Sequence, residues 1–145
     1  MTDNHVLRVL VTGASGFLGG NILRALQKNP RIRPIAACRD KNKISNRFSG
    51  EIRVGDLIDA HYRRQLSKDG DVICHAGGWA SMWNHRDVER THFFEPTCDL
   101  IDAAIGNGVQ RFIFANTVAI AAKVKEAQPI DDFAPTRRTG YWPHL

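Results

Sequence analysis

The stretch that decides the fold is VTGASGFLGG, residues 11–20. The apolar run HVLRVL at 5–10 leads into it and predicts a short buried strand. After the glycines the sequence changes to helical spacing, with apolar residues expected on one face at Leu18, Ile22, Ala25 and Leu26. The N–H groups of a first helical turn have no partners within the helix and lie at the positive end of its dipole. A strand, a glycine turn and a helix in this order therefore predict a phosphate site.

Each glycine of the G-x-x-G-x-x-G pattern has its own predicted role. Gly13 permits the tight turn, Gly16 lets backbone amides approach a pyrophosphate, and Gly19 lets the helix pack closely on the strand. Glycine-rich structural turns carry similar spacings, so the strand before the loop and the helix after it give the pattern its meaning. We interpret the loop, with Ser15 and Phe17, as a dinucleotide-binding site.

Strands and helices alternate along the rest of the chain. Further strands are predicted at RPIAAC (33–38), EIRV (51–54), DVICHAGG (71–78) and RFIFAN (111–116). Asp59 is the expected N-cap of one intervening helix, whereas Pro96 either kinks the other or marks its beginning. The alternation predicts an α/β, Rossmann-like doubly wound parallel sheet of order 3-2-1-4-5. A ligand is then expected outside the carboxyl ends of the first and fourth strands, where the order reverses.

Composition limits the protein to a few broad classes. At 145 residues and 43% hydrophobic content, the chain suits one globular domain. No apolar run approaches the roughly 18 residues of a membrane span, and the N-terminus lacks the pattern of a secretion signal. Cys38, Cys74 and Cys98 are odd in number and widely spaced, which favours reduced thiols and a cytoplasmic location.

The net charge of +5 allows two interpretations. The basic residues clustered between positions 24 and 68 form either a solvated face or a field that attracts a polyanion. No RNA-binding motif, zinc finger or basic zipper is found, so a phosphate-rich cofactor is favoured over nucleic acid. His75, His85 and His92 lie on different predicted elements without the spacing of paired ligands, and no metal site is predicted.

Several motifs together point to one family. VTGASGFLGGNIL resembles the extended short-chain dehydrogenase/reductases, which include NAD(P)-dependent epimerases, dehydratases and dihydroflavonol-type reductases. The family's further motifs follow in order as GDL (55–57), DVICHAGG (71–78), PTCDLIDAA (96–104), QRFIFANT (110–117) and PIDD (129–132). The resemblance covers nearly the whole chain. It implies that residues 1–145 bind NAD(P) as part of a reductase, epimerase or dehydratase acting on a small carbonyl or sugar-nucleotide substrate.

The end of the second strand usually decides between the two dinucleotides. An acidic residue there binds the ribose 2′-hydroxyl of NAD, while an arginine accommodates the 2′-phosphate of NADP. Cys38 stands at the acidic position and Arg39 follows it, which favours NADP. Asp40 leaves NAD open if it takes the acidic role, and Arg39 has a second interpretation as a solvated loop charge.

The resemblance assigns two more groups of cofactor contacts. Asp56 and Leu57 match the positions that hold the adenine ring, although Asp56 has a structural alternative as the cap of the next helix. Ala76, Gly77 and Gly78 match the small residues along the nicotinamide-side ribose, with a strand-ending turn as their alternative.

The resemblance also names catalytic positions. Thr117 occupies the serine/threonine position after the fifth strand, and Tyr141 occupies the tyrosine of Y-x-x-x-K. Leu145 stands where that lysine would be, and Phe93 replaces a usual asparagine. An unperturbed tyrosine has a pKa near 10, so little phenolate is expected without the lysine.

These departures leave two functions open. In the first, the chain is the N-terminal part of a longer enzyme, truncated near Tyr141 and lacking the C-terminal strands and substrate domain, whose partners are a small-molecule substrate and a second copy in a homodimer. In the second, the chain is a non-catalytic module that binds or senses a dinucleotide.

Overall fold

The computed structural model describes residues 5–78 and 86–116. Its strands are β1 (Leu7–Thr12), β2 (Ile32–Cys38), β3 (Glu51–Val54), β4 (Val72–His75) and β5 (Arg111–Phe114). They form one sheet of order β3-β2-β1-β4-β5, and all four pairings are parallel. The predicted fold class and strand order are therefore confirmed.

The helices between the strands are α1 (Phe17–Leu26), α2 (Ala60–Leu66), α3 (Arg86–Glu89) and α4 (Glu95–Gly106). A 3-10 turn at Lys41–Lys43 follows β2, and a π-helical stretch at Arg90–Phe94 joins α3 to α4. Pro96 lies in the first turn of α4, directly after the π-helical stretch, where a missing N–H costs little. Regular α-helix thus begins beside the proline. No helix in the described ranges has the length and apolarity that crossing a membrane requires.

The core lies on both faces of the sheet. On one face Leu10, Ile35 and Ile73 are fully buried and pack in a cluster with residues of α2 and α4. On the other face Val11 and Ala36 pack in a cluster with residues of α1. Neighbouring residues of one strand point to opposite faces, so burial on both sides explains why these strands are continuous apolar runs.

The buried face of α1 differs from the predicted one. Gly19 and Leu23 are the buried residues of this helix, whereas Leu18 is 47% exposed and Ala25 is also exposed. Close packing of Gly19 against the carbonyl of Gly13 fixes the rotation of the helix. Residues four apart lie on the same face, so Leu23 then points to the sheet. Ile22 and Leu26 of the predicted stripe do pack against the core cluster on this face, whereas Leu18 and Ala25 do not, because a hydrophobicity pattern cannot detect a contact made by a glycine.

Candidate functional site

The turn after β1 requires glycine at position 13. Gly13 has a φ of +62°, in the left-handed region. A Cβ atom there would lie 2.6 Å from the amide nitrogen of Gly77 and 2.7 Å from the carbonyl carbon and oxygen of Ala76. Such distances are well inside van der Waals contact, so a side chain would push apart the ends of β1 and β4. The glycine thus allows the two central strands to meet where a ligand is expected.

The start of α1 is packed tightly onto the same turn. A Cβ atom on Gly19 would lie 2.3 Å from the carbonyl oxygen of Gly13, and the amide of Gly16 donates to that oxygen at 2.9 Å. Gly16 is the N-cap of α1, and within the described ranges no side chain caps this terminus. The first turn also contains no acidic residue. Its N–H groups are therefore left without an acceptor from a capping side chain, as a phosphate site requires.

A cavity of about 330 Å³ lies at the carboxyl ends of the strands. The predicted cofactor-binding residues that line it are Gly13, Ser15, Gly16, Arg39, Asp56, Leu57, Ala76, Gly77 and Gly78. Two predicted residues lie elsewhere. Gly19 is buried beneath the turn, and Phe17 is 91% exposed on a neighbouring groove. Gly19 thus shapes the cavity from below, whereas the side chain of Phe17 does not reach it.

Three consecutive residues at the end of β2 are in different environments. Cys38 is buried, and burial together with the nearby Asp40 carboxylate raises the pKa of its thiol. The Asp40 carboxylate accepts from the amide of Asn42 at 2.9 Å and thereby caps the 3-10 turn. Arg39 is exposed and lines the cavity, whereas Asp40 does not. A neutral thiol, an exposed guanidinium and a carboxylate that accepts from the amide of Asn42 thus lie side by side at the end of β2.

Asp56 and Leu57 follow β3 at the same edge of the sheet. The Asp56 carboxylate accepts from the amide of Ile58 at 3.1 Å, which closes a tight turn. The cap of α2 is Asp59, which was its predicted residue, so the capping alternative for Asp56 is wrong. Leu57 is half-buried, packs against the core and lines the cavity.

His75 is a residue of the site to which the sequence analysis assigned no role. It ends β4, is 1% exposed and lines the cavity. Its Nδ1 lies 2.6 Å from Thr12 Oγ1 and its Nε2 lies 3.1 Å from Thr97 Oγ1. Its ring stacks on Phe93 and Phe114 at centroid distances of 6.0 Å and 5.6 Å. Burial lowers the pKa of His75 to about 4, so the imidazole is neutral at pH 7 and brings no charge to the cavity.

Tyr62 is a second residue that the sequence analysis did not identify. Its hydroxyl donates to the carbonyl of Arg53 at 2.8 Å, and burial raises its pKa to about 12. Its ring lies so close to Gly55 that a Cβ atom there would be 2.3 Å from it. Tyr62 therefore contributes a neutral aromatic wall. The sequence predicted only a helix after Asp59, which gave no indication that Tyr62 lines the cavity.

The two predicted catalytic residues, Thr117 and Tyr141, lie outside the described residues. The described cavity is the part of the site that faces the glycine turn and the ends of β2, β3 and β4.

A parallel sheet of this order, with a glycine turn and a cavity where the order reverses, defines a Rossmann-like domain. The chain matches the NAD dependent epimerase/dehydratase family over residues 9–142, and it belongs to that family. The resemblance drawn from the sequence motifs is thereby confirmed.

Individual relatives agree with this assignment. The chain is 30% identical to part of the hybrid PKS-NRPS synthetase gkaA of Penicillium citrinum, covering 92% of this chain and 4% of that protein. A short-chain dehydrogenase/reductase superfamily protein from Agrobacterium tumefaciens with bound NAD is 25% identical, with a TM-score of 0.74 and coverage of 94% and 40%. A mutated uronate dehydrogenase is 27% identical, with a TM-score of 0.75 and coverage of 94% and 49%. The chain spans less than half the length of each of these proteins.

Proposed function

We propose that the chain is the dinucleotide-binding domain of a reductase, epimerase or dehydratase that prefers NADP to NAD. The observation that carries the preference is the arrangement at the end of β2, where Arg39 lines the cavity and Asp40 does not. The substrate class that fits the family is a small carbonyl compound or a sugar nucleotide. In the longer protein we propose this substrate and a second copy of the chain as partners.

The glycine turn fits the pyrophosphate of a dinucleotide. The N-terminus of α1 has no side-chain cap within the described ranges, and Gly16 holds the cap position without a side chain of its own. Its backbone is extended, with φ −85° and ψ 173°, so glycine is not required there by its own conformation. A Cβ atom there would lie 3.2 Å from the carbonyl oxygen of Gly13, a tight contact, and it would also take up room for a ligand beside the backbone. The amides of the first turn would bind the phosphate oxygens, with Ser15 beside them on the wall of the cavity.

The end of β3 fits the adenine. Asp56 would accept from the exocyclic amine, and Leu57 would cover one face of the ring. Both residues line the cavity, and neither caps α2. On the opposite side, Ala76, Gly77 and Gly78 leave space beside the backbone for the ribose that carries the nicotinamide.

The preference for NADP follows from charge. NAD-binding members need a carboxylate free to accept from the ribose 2′-hydroxyl. Cys38 cannot supply one, and Asp40, unlike Arg39, does not line the cavity. Arg39 supplies a permanent positive charge with paired donors, which suits a phosphate. The relative with bound NAD supports a nicotinamide dinucleotide as the cofactor without deciding between the two forms.

We propose the chemistry from the family resemblance. The nicotinamide supplies hydride exchange with a substrate carbon that bears oxygen. Thr117 would hold that oxygen by a hydrogen bond, and Tyr141 would exchange a proton with it. The free thiols at Cys38, Cys74 and Cys98 support a reducing compartment, and we propose the cytoplasm.

Titration with NADPH and NADH tests the proposal. We expect the unmodified chain to bind NADPH about tenfold or more tightly than NADH, since a charge-assisted contact is worth about 1.5–3 kcal/mol. Arg39→Ala should remove most of this difference by weakening NADPH binding alone. Arg33→Ala is the matched control, because Arg33 is also exposed on β2 but lies towards the other end of that strand. It should leave both affinities within about twofold, the effect expected of a distant surface charge.

Asp40→Ala separates the two interpretations of that carboxylate. Capping of the 3-10 turn predicts a small effect, equal for NADPH and NADH. A selective loss of NADH binding would instead assign Asp40 to the ribose. Equal affinity of the unmodified chain for both dinucleotides would overturn the NADP preference, and binding of neither would overturn the dinucleotide site itself.

A further inference from the structure

Arg63 is a buried cation that holds the turn between β3 and α2. Its side chain is 9% exposed. One terminal nitrogen donates to the carbonyls of Leu57 and Ile58, the latter at 2.9 Å. The other donates to the Asp99 carboxylate on α4 at 2.5 Å. The guanidinium thus connects the backbone of the turn to a neighbouring helix.

The same turn carries the residues proposed to contact adenine. The Asp56 carboxylate accepts from the amide of Ile58, and the carbonyl of Asp56 accepts from the amide of Asp59 at 3.1 Å. These bonds fix the turn from inside, while Arg63 binds two of its carbonyls from the side of the core. Asp56, Leu57 and Ile58 line the cavity, whereas Arg63 does not. Arg63 can therefore act on a ligand only through the turn.

The charge of Arg63 is balanced by a residue outside the turn. Asp99 lies on α4, and its side chain is 55% exposed. A buried guanidinium needs a carboxylate partner or a full set of acceptors. Asp99 meets this need while setting the distance between α4 and the turn. Removing either partner should loosen the position of the turn relative to the rest of the cavity.

We propose that Arg63, supported by Asp99, positions the turn at 56–58 so that the chain selects adenine among the purine bases of a dinucleotide. Arg63 is a positioning residue in this proposal, and Asp56 is the residue that meets the base. The inference rests on the proposed dinucleotide site and adds to it the residues that determine base selectivity.

Arg53 provides a matched control within the same pair of elements. It donates to the carbonyls of Leu66 and Lys68 at 2.6 Å and 2.9 Å and pairs with Glu51 at 2.7 Å. Its guanidinium therefore binds two carbonyls and one carboxylate, as that of Arg63 does. The two carbonyls lie at and just beyond the far end of α2, the carboxylate lies on β3, and Arg53 does not line the cavity. If removing such a cation weakens dinucleotide binding without changing the turn, Arg53→Met should show the same loss as Arg63→Met.

The test compares NADPH with its hypoxanthine analogue, in which a carbonyl oxygen replaces the exocyclic amine of adenine. The unmodified chain should bind NADPH about tenfold more tightly, because the analogue sets an acceptor against the Asp56 carboxylate. In Arg63→Met this ratio should fall to within about twofold, mainly through weaker NADPH binding. Arg53→Met should keep the tenfold ratio. Asp99→Asn, which keeps an acceptor and removes the charge, should give an intermediate ratio.

The outcomes separate the two proposals. Failure of the unmodified chain to bind either dinucleotide would overturn the dinucleotide site and this inference with it. Binding without discrimination between the two bases would overturn adenine selection alone. Discrimination that persists in Arg63→Met would show that Arg63 does not set it and would leave the dinucleotide site standing. If circular dichroism shows Arg63→Met to be unfolded, the same comparison in Asp99→Asn and Arg63→Lys decides, and an unchanged tenfold ratio in both would overturn the inference.

Discussion

The N-termini of α1 and α2 are built in opposite ways. Both helices follow strands of the same parallel sheet, and both begin at its carboxyl edge. At α2 the Asp59 carboxylate accepts from the amides of His61 and Tyr62 at 2.7 Å and 3.3 Å. At α1 the cap position is Gly16, and within the described ranges no side chain accepts from the first turn there.

The two N-termini differ in whether a side chain of the protein binds the amides of the first turn or leaves them available to a ligand. Every α-helix begins with amides that lack partners within the helix. Asp59 satisfies two of them, and those hydrogen bonds lower the pKa of its carboxyl group. A phosphate offered to α2 would have to compete with that carboxylate, whereas at α1 it would meet no such competitor. The residue at the cap thus tells which terminus can bind an anion.

The largest expected effect comes from removing the turn that opens α1. In Gly13→Ala the new Cβ would meet backbone atoms of Ala76 and Gly77 at 2.6–2.7 Å, and an L-residue would be forced to a φ near +62°. We expect the free energy of unfolding to fall by about 3–5 kcal/mol, because backbone cannot move aside as a side chain can. Urea unfolding followed by circular dichroism measures the change.

Gly108→Ala separates strain from collision. Gly108 has a similar φ of +74°, and in the part of the chain that the structure describes no atom beyond the adjacent residues lies within 4 Å of its added Cβ. The free energy of unfolding of this variant should fall by about 1–2 kcal/mol, the strain of the left-handed conformation alone. Equal losses in the two variants would mean that the contact between the ends of β1 and β4 contributes nothing.

The next largest effect is on NADPH binding. It is expected when α1 is given an aspartate at its N-cap, as α2 has. In Gly16→Asp the carboxylate should accept from the amides of the first turn and repel the pyrophosphate. We expect NADPH binding to weaken about 100-fold or more, while stability changes by less than about 1 kcal/mol. Isothermal titration calorimetry and urea unfolding give the two quantities.

Gly16→Ala is the control for the added carbon atom. Both variants place a Cβ 3.2 Å from the carbonyl oxygen of Gly13, a tight contact that the turn must accommodate. Only the aspartate adds a charge and an acceptor. If alanine weakens NADPH binding as much as aspartate does, steric exclusion explains the loss, and the open amides of α1 are not the reason.

The sequence was sufficient to predict features that depend on local chemistry. The strands and their order followed from apolar runs separated by helices, and Asp59 followed from its place before the first residue of α2. The glycine turn followed from its spacing between a strand and a helix. The residues that determine each strand, the cap and the turn lie close together in the sequence, whereas the strand order, which pairs β1 with β4, followed from the general rule for alternating strands and helices.

Side-chain contacts between residues distant in the sequence were not predicted. His75 is a site residue because Thr12 and Thr97 come to its two ring nitrogens from other elements. Arg63 is buried because Asp99, far along the chain, lies beside it. The rotation of α1 depends on how closely Gly19 meets a carbonyl. A histidine, an arginine or a glycine has the same appearance in a sequence whether or not such a partner exists.

The smallest expected effect concerns the capped terminus. Asp59→Ala should lower the Tm by about 3 °C and leave NADPH binding unchanged, since the variant removes a cap and touches no predicted cofactor contact. The direction in which this stabilisation changes with pH follows from the lowered pKa of Asp59. The stabilisation is complete above the ordinary value of 3.8 and is lost as pH falls through the lower folded-state value. Differential scanning calorimetry should therefore find that the gap in Tm between the two proteins closes in acid.

Asp59→Asn tests whether the charge or the hydrogen bonds stabilise α2. Asparagine keeps an oxygen that can accept from the amides of His61 and Tyr62 but has no proton to gain in this range. Its Tm should lie close to that of the unmodified chain at pH 7 and should not show the additional fall in acid that comes from protonation of Asp59. A Tm as low as that of Asp59→Ala would mean that the negative charge, acting on the helix dipole, stabilises the start of α2. Any loss of NADPH binding in Asp59→Asn would contradict the division between the two termini, because it would give the capped helix a part in the site.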